Sequence, residues 1–153
     1  MKILENKIPP PIIAILFATA MWLSASLSPS FFLATLLHIL LVGVPMLTGL
    51  FFCAAGILSF KKASTTVNPL KPETASSLVT TGIFQITRNP MYLGVSFILL
   101  AWALYLSSAL PFLGVLGFIF YINRFQIVPE ERALIKIFEP EFVLYQSQVR
   151  RWL

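Results

Sequence analysis

Arg88 stands where a polar loop gives way to an apolar run, and the residues around it could bind an anion. The segment 88–94 reads RNPMYLG. Pro90 suits the first turn of a helix, where its missing N–H is not needed, and the unpaired N–H groups of a helix start attract anions. An arginine reaching toward lipid headgroups beside an ordinary helix start explains the same residues equally well. Gly94 would let a second backbone approach closely.

A second polar cluster interrupts the end of the last apolar run. Asn123, Arg124 and Gln126 are costly in lipid unless they face a cavity or a partner. Two adjacent carboxylates, Glu130 and Glu131, follow at once. A membrane-anchoring role does not by itself explain paired carboxylates at a membrane surface, so this cluster is a candidate for chemistry.

The composition indicates that the segments that position these residues lie in lipid. Of the 153 residues, 58% are hydrophobic and 11% are charged, whereas an average soluble domain is about 25% charged. A soluble chain of this size has too much surface for its volume to hide so much apolar area. No Asp, Glu, Lys or Arg lies between Lys7 and Lys61 or between Arg88 and Arg124.

Two uncharged polar turns divide these stretches into helices. Residues 26–30 read SLSPS and residues 107–111 read SSALP, and a membrane helix needs about 20 apolar residues. Apolar sequence continues past the small residues 18–20, so the first helix is expected to be retained rather than cleaved as a signal peptide. The sequence predicts one all-α polytopic domain over 1–153, with four transmembrane helices at 9–27, 31–60, 89–107 and 110–128.

Basic residues flank the predicted helices on one side only. They lie before the first helix, in the loop 61–88 and toward the carboxyl end, whereas the two turns carry no charge. The positive-inside rule places both termini in the cytoplasm, which fits a bacterial inner membrane protein. The net charge of +5 also favours anionic membrane lipids as partners. It does not indicate nucleic-acid binding, because the basic residues form no continuous stripe.

The two cytoplasmic segments have different patterns. The loop 61–88 is predicted to be ordered, because Asn68–Pro72 (NPLKP) is typical of a fixed turn. The segment 129–153 is amphipathic, and its basic aromatic end, Val149–Trp152, suits a membrane anchor. The apolar residues of one predicted helical face in this segment, an interfacial helix, are Phe138, Phe142, Tyr145, Val149 and Trp152.

Cys53 and His38 are each the only residue of their kind. A single cysteine and a single histidine offer no disulfide partner and no cluster for a metal, so no metal is expected. An intramembrane histidine is a functional candidate by default, and an ordinary hydrogen bond within the bundle accounts for it equally well.

Three motifs in this order resemble the isoprenylcysteine carboxyl methyltransferase family in its broad bacterial sense, which is similar to phospholipid N-methyltransferases. They are Arg88–Gly94, Pro129–Leu134 (PEERAL), and Tyr145 followed by Val149–Trp152. The turn Thr66–Pro69 (TVNP) fits the same branch. The resemblance runs from about Thr65 to Leu153, and the first two helices match in hydropathy only.

The resemblance implies S-adenosylmethionine as methyl donor and a pocket built from the last membrane helices and the carboxyl segment. It also implies a lipophilic acceptor, small molecule or lipid, that arrives from the bilayer. The implied substrate-side or catalytic residues are Arg124, Glu131 and Arg151. The implied cofactor-binding residues are Phe84, Arg88, Asn89, Pro90, Tyr92, Leu93, Gly94, Glu130 and Glu131.

The chain departs from the family pattern at two places. Glu139 stands where the family often has a glycine after the paired glutamates, and Phe142 replaces a tyrosine three residues later. The family commonly reads Gly-Pro-Tyr where this chain has Gly82-Ile83-Phe84, so Phe84 keeps the ring and lacks the hydroxyl. The contacts that these residues make with a donor must therefore differ here.

The chemistry of the donor fits the implied residues. An arginine such as Arg88 suits its carboxylate, a glutamate its ammonium or ribose, and aromatic rings its adenine or sulfonium. No glycine-rich turn follows a strand, which excludes a Rossmann-type donor site. A carboxylate acceptor needs little acid–base help, whereas an amine would need a base such as Glu131. A membrane reductase using a nicotinamide cofactor and a non-catalytic module of the same fold are the alternatives.

Overall fold

The structure, a computed structural model, describes residues 5, 7–32, 34–63 and 77–153. These residues are all-α apart from one isolated bridge between Ser30 and Ser108. The predicted turn Asn68–Pro72 lies outside the described residues, as does Thr66–Pro69. The helices are α1 (Pro10–Ala25), α2 (Thr35–Lys62), α3 (Pro90–Leu106), α4 (Pro111–Ile122), α5 (Val128–Phe138) and α6 (Glu141–Gln148), with a 3₁₀ turn at Gly82–Gln85 and a π-helical segment at Asn123–Ile127.

Proline marks the beginning of three helices. Pro10, Pro90 and Pro111 each occupy the first position of a helix. These positions require no N–H from proline, and its fixed φ is already helical. The first-turn positions predicted for Pro90 and Pro111 are confirmed.

The chain from Pro111 to Phe138 is one continuous helix of 28 residues. The sequence predicted that a span ends at residue 128 and that Pro129 opens a separate helix. The chain has no break between them, so this part of the prediction was wrong. The π segment explains the continuity, because the Val128 N–H bonds to the carbonyl of Asn123, five residues back. Such a wide turn accommodates an extra residue next to a proline without ending the helix.

The carboxyl segment is not a single interfacial helix, and this prediction was wrong. Helix α5 ends at Phe138, and Glu139 is extended with ψ 133°. The following Pro140 disfavours helical backbone at the residue before it, which explains the break. Trp152 lies beyond α6 and packs against the core of the helix bundle.

Two aromatic residues of α6 pack against protein. Phe142 and Tyr145 are buried together with Val79, Ile83 and Phe84. Their apolar face covers the 3₁₀ turn that precedes Arg88. The aromatic stripe that the sequence assigned to a lipid interface therefore fixes the loop that leads into α3.

The two uncharged turns lie together at one end of the bundle. The Phe31 N–H donates to the Ser107 carbonyl at 2.9 Å, and the hydroxyls of Ser28 and Ser108 are hydrogen-bonded. His38 Nε2 lies 3.1 Å from the Leu104 carbonyl oxygen. The histidine thus has an ordinary hydrogen bond between the start of α2 and the end of α3. The charged residues described below lie at the opposite ends of these helices.

Helices α2 and α3 meet through glycines. A Cβ added to Gly49 would come within 2.6 Å of the Gly94 carbonyl oxygen and 2.7 Å of Ile98 Cγ1. A Cβ added to Gly94 would come within 2.6 Å of both the Gly49 carbonyl oxygen and Cys53 Sγ. The expected close approach of a second backbone at Gly94 is confirmed, and small residues are what such helix contacts require.

Gly49→Ala is expected to destabilise the protein by about 1–3 kcal/mol, because the added methyl group would meet main-chain atoms that cannot rotate away. Gly43→Ala, in the same helix, is the matched control, because nothing lies within 4 Å of its Cβ position. Denaturant unfolding of both variants in detergent, followed by circular dichroism, measures the difference. Equal stability of the two variants would contradict the close contact.

Two described helices, Thr35–Lys62 and Pro111–Phe138, are long and apolar enough to cross a membrane. Helices α1 and α3 are apolar but shorter, with 16 and 17 residues. The side of α2 turned away from α3 exposes large apolar side chains, including Leu36, Leu47 and Phe51. Contiguous apolar surface of this kind suits contact with lipid.

Candidate active site

Glu131 lies between two arginines that come from distant parts of the chain. Its Oε1 is 3.1 Å from Arg151 Nε and its Oε2 is 2.6 Å from Arg151 Nη2, a bidentate pair. Arg88 Nη1 lies 3.2 Å from Oε1 of the same carboxylate. The side chains of Arg88 and Glu131 are 11% and 12% exposed, and that of Arg151 is 34% exposed. We call these three residues the arginine–carboxylate cluster; its formal charge is positive.

Main-chain bonds fix the two arginine-bearing segments to each other. The Arg88 N–H donates to the Arg150 carbonyl at 3.0 Å. The Arg151 carbonyl accepts from Asn89 Nδ2 at 2.9 Å and from the buried Thr87 hydroxyl at 3.3 Å. The Asn89 side chain, which the resemblance assigned to cofactor binding, thus holds the carboxyl segment against the start of α3. Arg151 is also oriented by Asn123, whose Oδ1 accepts from its Nη1 at 3.1 Å.

The Arg88 guanidinium has donors that no described residue satisfies. Its Nε and Nη1 are buried and have no hydrogen-bond partner among the described residues. Nη1 is within ion-pair distance of Glu131 but outside hydrogen-bond geometry. Buried guanidinium N–H groups are costly without an acceptor, and a carboxylate oxygen is a strong acceptor for either of these two donors. A ligand carboxylate would therefore fit this position by charge and by hydrogen-bonding capacity.

The adjacent carboxylates have different partners. The Tyr92 hydroxyl donates to Glu130 Oε1 at 2.5 Å, whereas Glu131 pairs with the two arginines. Tyr92 is buried in the bundle core. The predicted pair of glutamates thus divides into one that faces a hydroxyl inside the bundle and one that faces cations.

Phe84 is buried in the 3₁₀ turn that precedes Arg88. Its carbonyl accepts from the Tyr145 hydroxyl at 2.6 Å, and its ring meets that of Phe60 edge-on with 5.3 Å between centroids. Burial raises the pKa of Tyr145 to about 12, although nearby Arg88 opposes the shift. Tyr145 therefore keeps its proton at neutral pH and remains a donor to the loop that carries Arg88.

Three further cofactor candidates occupy packing positions. Gly94 forms the contact with α2, and Leu93 is buried. Pro90 is buried and lies 3.3 Å from the position of a Cβ added to Gly56. These residues position the start of α3, and so they determine where Arg88 and Tyr92 lie.

Arg124 is not brought into the arginine–carboxylate cluster. Its Nη1 lies 3.1 Å from Glu5 Oε1, and its side chain is 47% exposed.

Two residues outside the predicted cofactor and catalytic sets, Thr87 and Asn123, contact Arg151 of the arginine–carboxylate cluster. Asn123 belongs to the polar cluster that the sequence marked as costly in lipid. It lies eight residues before Glu131, which is about 80° away on a regular α-helix, so its place beside Arg151 depends on the π-helical segment between them. No sequence signal marked Thr87.

A family model described as phospholipid methyltransferase matches residues 37–141. The match therefore begins in α2, which the motif resemblance covered in hydropathy only, and it includes Arg88, Tyr92, Glu130 and Glu131. A protein of Haemophilus influenzae described as an uncharacterized protein is 51% identical over 63 residues, which are 41% of this chain and the whole of that protein. No solved structure matches this chain.

The apolar helices and the matched model agree on the class of protein. Two helices can cross a membrane and two shorter ones are apolar, as an integral membrane protein requires. The matched range spans about two thirds of the chain and carries two of the three members of the arginine–carboxylate cluster. The chain belongs to the phospholipid methyltransferase family.

Proposed function

We propose that this protein is an integral membrane methyltransferase that uses S-adenosylmethionine to methylate a lipophilic acceptor. The observation that carries the proposal is the buried Arg88 guanidinium with donors that no described residue satisfies. Family membership supports a methyl transfer to a lipid. We further propose that the charged end of the bundle and both termini face the cytoplasm, where a soluble donor would arrive.

Arg88 would hold the carboxylate of the donor. Glu131 is the nearest negative group to Arg88, so it would lie beside the donor's ammonium group. The Tyr92 hydroxyl, which donates to Glu130, would accept a hydrogen bond from the ribose. When bound, S-adenosylmethionine supplies a methyl group on a positively charged sulfur.

The residues of the site would act mainly by orientation and by excluding water. Methyl transfer requires the nucleophile, the methyl carbon and the sulfur to lie in line. The main-chain bond between Arg88 and Arg150 and the bond from the Asn89 side chain to the Arg151 carbonyl keep the site fixed. The buried rings of Phe84 and Tyr92 would help to exclude water from the site.

An amine acceptor would also have to lose a proton. Glu131 was the expected base, but it is shared by two guanidinium groups. Glu130 contacts a neutral hydroxyl instead of a cation, so among the described residues no positive charge in contact with it opposes the uptake of a proton. We therefore assign the general base to Glu130 for an amine, and no base is needed for a carboxylate. The resemblance to isoprenylcysteine carboxyl methyltransferases supports a carboxylate, and the family description supports a phospholipid.

Calorimetric titration of the detergent-purified protein tests the proposal. We expect binding of S-adenosylmethionine and of its demethylated product, and no binding of NADPH. Methylthioadenosine, which lacks the amino-acid carboxylate, should bind roughly tenfold or more weakly, because it leaves Arg88 without its partner. Binding of NADPH alone would favour a reductase, and absence of all binding would favour a non-catalytic module; either result would refute the proposed function.

A further inference from the structure

The buried donors of Arg88 border a short segment that follows α6. Its Nε and Nη1 are buried and have no hydrogen-bond partner among the described residues, so a ligand carboxylate reaches them only after part of the protein has moved. Helix α6 ends at Gln148, and Val149 after it is extended, with φ −123° and ψ 133°. We call residues 149–153, which are not helical, the strap.

Three hydrogen bonds join the strap to the residues that lead into α3. The Arg88 N–H donates to the Arg150 carbonyl at 3.0 Å. The next carbonyl, that of Arg151, accepts the Thr87 hydroxyl at 3.3 Å and Asn89 Nδ2 at 2.9 Å. A carbonyl oxygen has two lone pairs, so the hydrogen-bonding capacity of this one is fully used. The strap is thereby fixed to residues on both sides of Arg88 in the chain.

The Thr87 hydroxyl is committed to the strap. Its side chain is fully buried, and its Oγ1 accepts the Asn89 N–H at 3.2 Å. A hydroxyl carries one proton, and that of Thr87 is donated to the Arg151 carbonyl. Because the residue is buried, bulk water does not compete for this bond. Thr87 therefore closes the strap against the start of α3.

The strap has the least internal support of the elements that border Arg88. Helix α3 and the long helix Pro111–Phe138 are held by their own ladders of main-chain hydrogen bonds, which an extended segment lacks. Local opening occurs where few contacts have to be broken. The strap also carries Arg151, whose guanidinium bonds both oxygens of Glu131. One movement of the strap would thus uncover Arg88 and Glu131, the two groups proposed for the charged ends of the donor.

We propose that Thr87 is a positioning residue that holds the strap closed over Arg88, and that the strap opens to admit the donor and then closes on it. This inference rests on the proposed function and deepens it, because it names the movement that controls entry of the donor. The Thr87 bond is made in the closed strap both before and after the donor enters. A contact that is equal in two states does not change the equilibrium between them, so Thr87 sets the rates of entry and exit and leaves the affinity unchanged.

Thr87→Val tests the proposal, because it removes the hydroxyl and keeps the branched shape of the side chain. We expect the association and dissociation rate constants of S-adenosylmethionine each to rise roughly three- to tenfold, as for the loss of one hydrogen bond, and their ratio to stay the same. Surface plasmon resonance of the immobilised full chain in detergent measures both rates. Faster association cannot come from misfolding, so it separates an opened strap from a damaged site.

Two variants are the controls. Thr87→Ser keeps the hydroxyl and should bind and release the donor at wild-type rates. Thr81→Val makes the same change at an exposed residue of the same loop, whose side chain makes no capping hydrogen bond, and its rates should also be those of the wild type. An unchanged association rate in Thr87→Val, or Thr87→Ser with the rates of the valine variant, would refute the proposal.

Limited proteolysis tests the strap without the donor. Trypsin cleaves after arginine, and the carbonyl of the Arg151–Trp152 bond is the one that Thr87 and Asn89 hold. Cleavage of a bond held in this way tracks the population of the open form. Mass spectrometry should show that residues 152–153 are lost roughly three- to tenfold faster from Thr87→Val than from the wild type, and that saturating S-adenosylmethionine slows the loss in both. Equal cleavage of the two proteins would refute a strap closed by Thr87.

The two readouts separate this inference from the proposed function. If S-adenosylmethionine binds but neither its rates nor the cleavage respond to Thr87→Val, the strap is refuted while the methyltransferase proposal stands. If no donor binds although Thr87→Val is cleaved faster, the closed strap stands and the proposed function fails.

Discussion

Arg88→Ala is expected to weaken binding of S-adenosylmethionine by roughly 30- to 150-fold, which corresponds to about 2–3 kcal/mol for a lost charged hydrogen-bonding partner. The reason is that the unsatisfied guanidinium donors of Arg88 are the best match in the site for the donor's carboxylate. Calorimetry of the purified variant measures the loss. Methylthioadenosine has no carboxylate, so its affinity should change little.

Arg150→Ala is the matched control for this loss. Arg150 is exposed and contributes its main-chain carbonyl to the Arg88 N–H, and alanine keeps that carbonyl. The control removes the same charge from the same end of the protein. An equal loss of donor affinity in both variants would mean that general charge, rather than the position of Arg88, attracts the donor. If Arg88→Ala lost equal affinity for S-adenosylmethionine and for methylthioadenosine, the donor's carboxylate would have to lie elsewhere.

Glu131→Ala is expected to lower the free energy of unfolding by roughly 3 kcal/mol. The substitution leaves two guanidinium groups beside each other without the carboxylate that both contact. The expected value lies at the low end of the range for buried pairs, because Arg151 is 34% exposed and solvent screens it. Denaturant unfolding in detergent, followed by circular dichroism, measures the change.

A double-mutant cycle shows whether the change comes from this contact. Glu131→Ala with Arg151→Ala should be less destabilised than the sum of the two single variants, because each removes the same bidentate pair. Glu141→Ala is the control, since Glu141 is an exposed carboxylate of the following helix, and it should change stability by about 0.5 kcal/mol or less. Additive effects of the two single substitutions would contradict a shared contact.

The parts of the fold that were predictable from the sequence depend on local rules. The helix starts at Pro90 and Pro111 follow from the fixed φ and missing N–H of proline. The turns around Ser28 and Ser108 follow from short polar segments that interrupt the apolar stretches. The close approach at Gly94 follows from its lack of a side chain. Each of these inferences uses residues that lie near one another in the chain.

The contacts of the candidate site could not be predicted in the same way. Arg88, Glu131 and Arg151 were selected by resemblance to known motifs, and their convergence on one carboxylate depends on how α3, α5 and the carboxyl segment pack together. The partner of Arg124 is Glu5, which is 119 positions away in the chain. Such a pair leaves no periodic signal in the sequence. The charge of Arg124 alone did not indicate which face of the long helix its side chain would occupy.

The π-helical segment Asn123–Ile127 sets the rotational phase between two parts of one helix. In a regular α-helix each residue turns the chain by about 100°, and a π turn absorbs one additional residue within a single wide turn. The residues beyond it are therefore rotated by one position relative to the direction that an unbroken α-helix would give them. A related chain that lacks one residue in this segment would form a plain α-helix and still direct its carboxylates toward the same neighbours. A one-residue deletion at Val115, outside the wide turn, would instead shift the apolar face of α4 relative to α1.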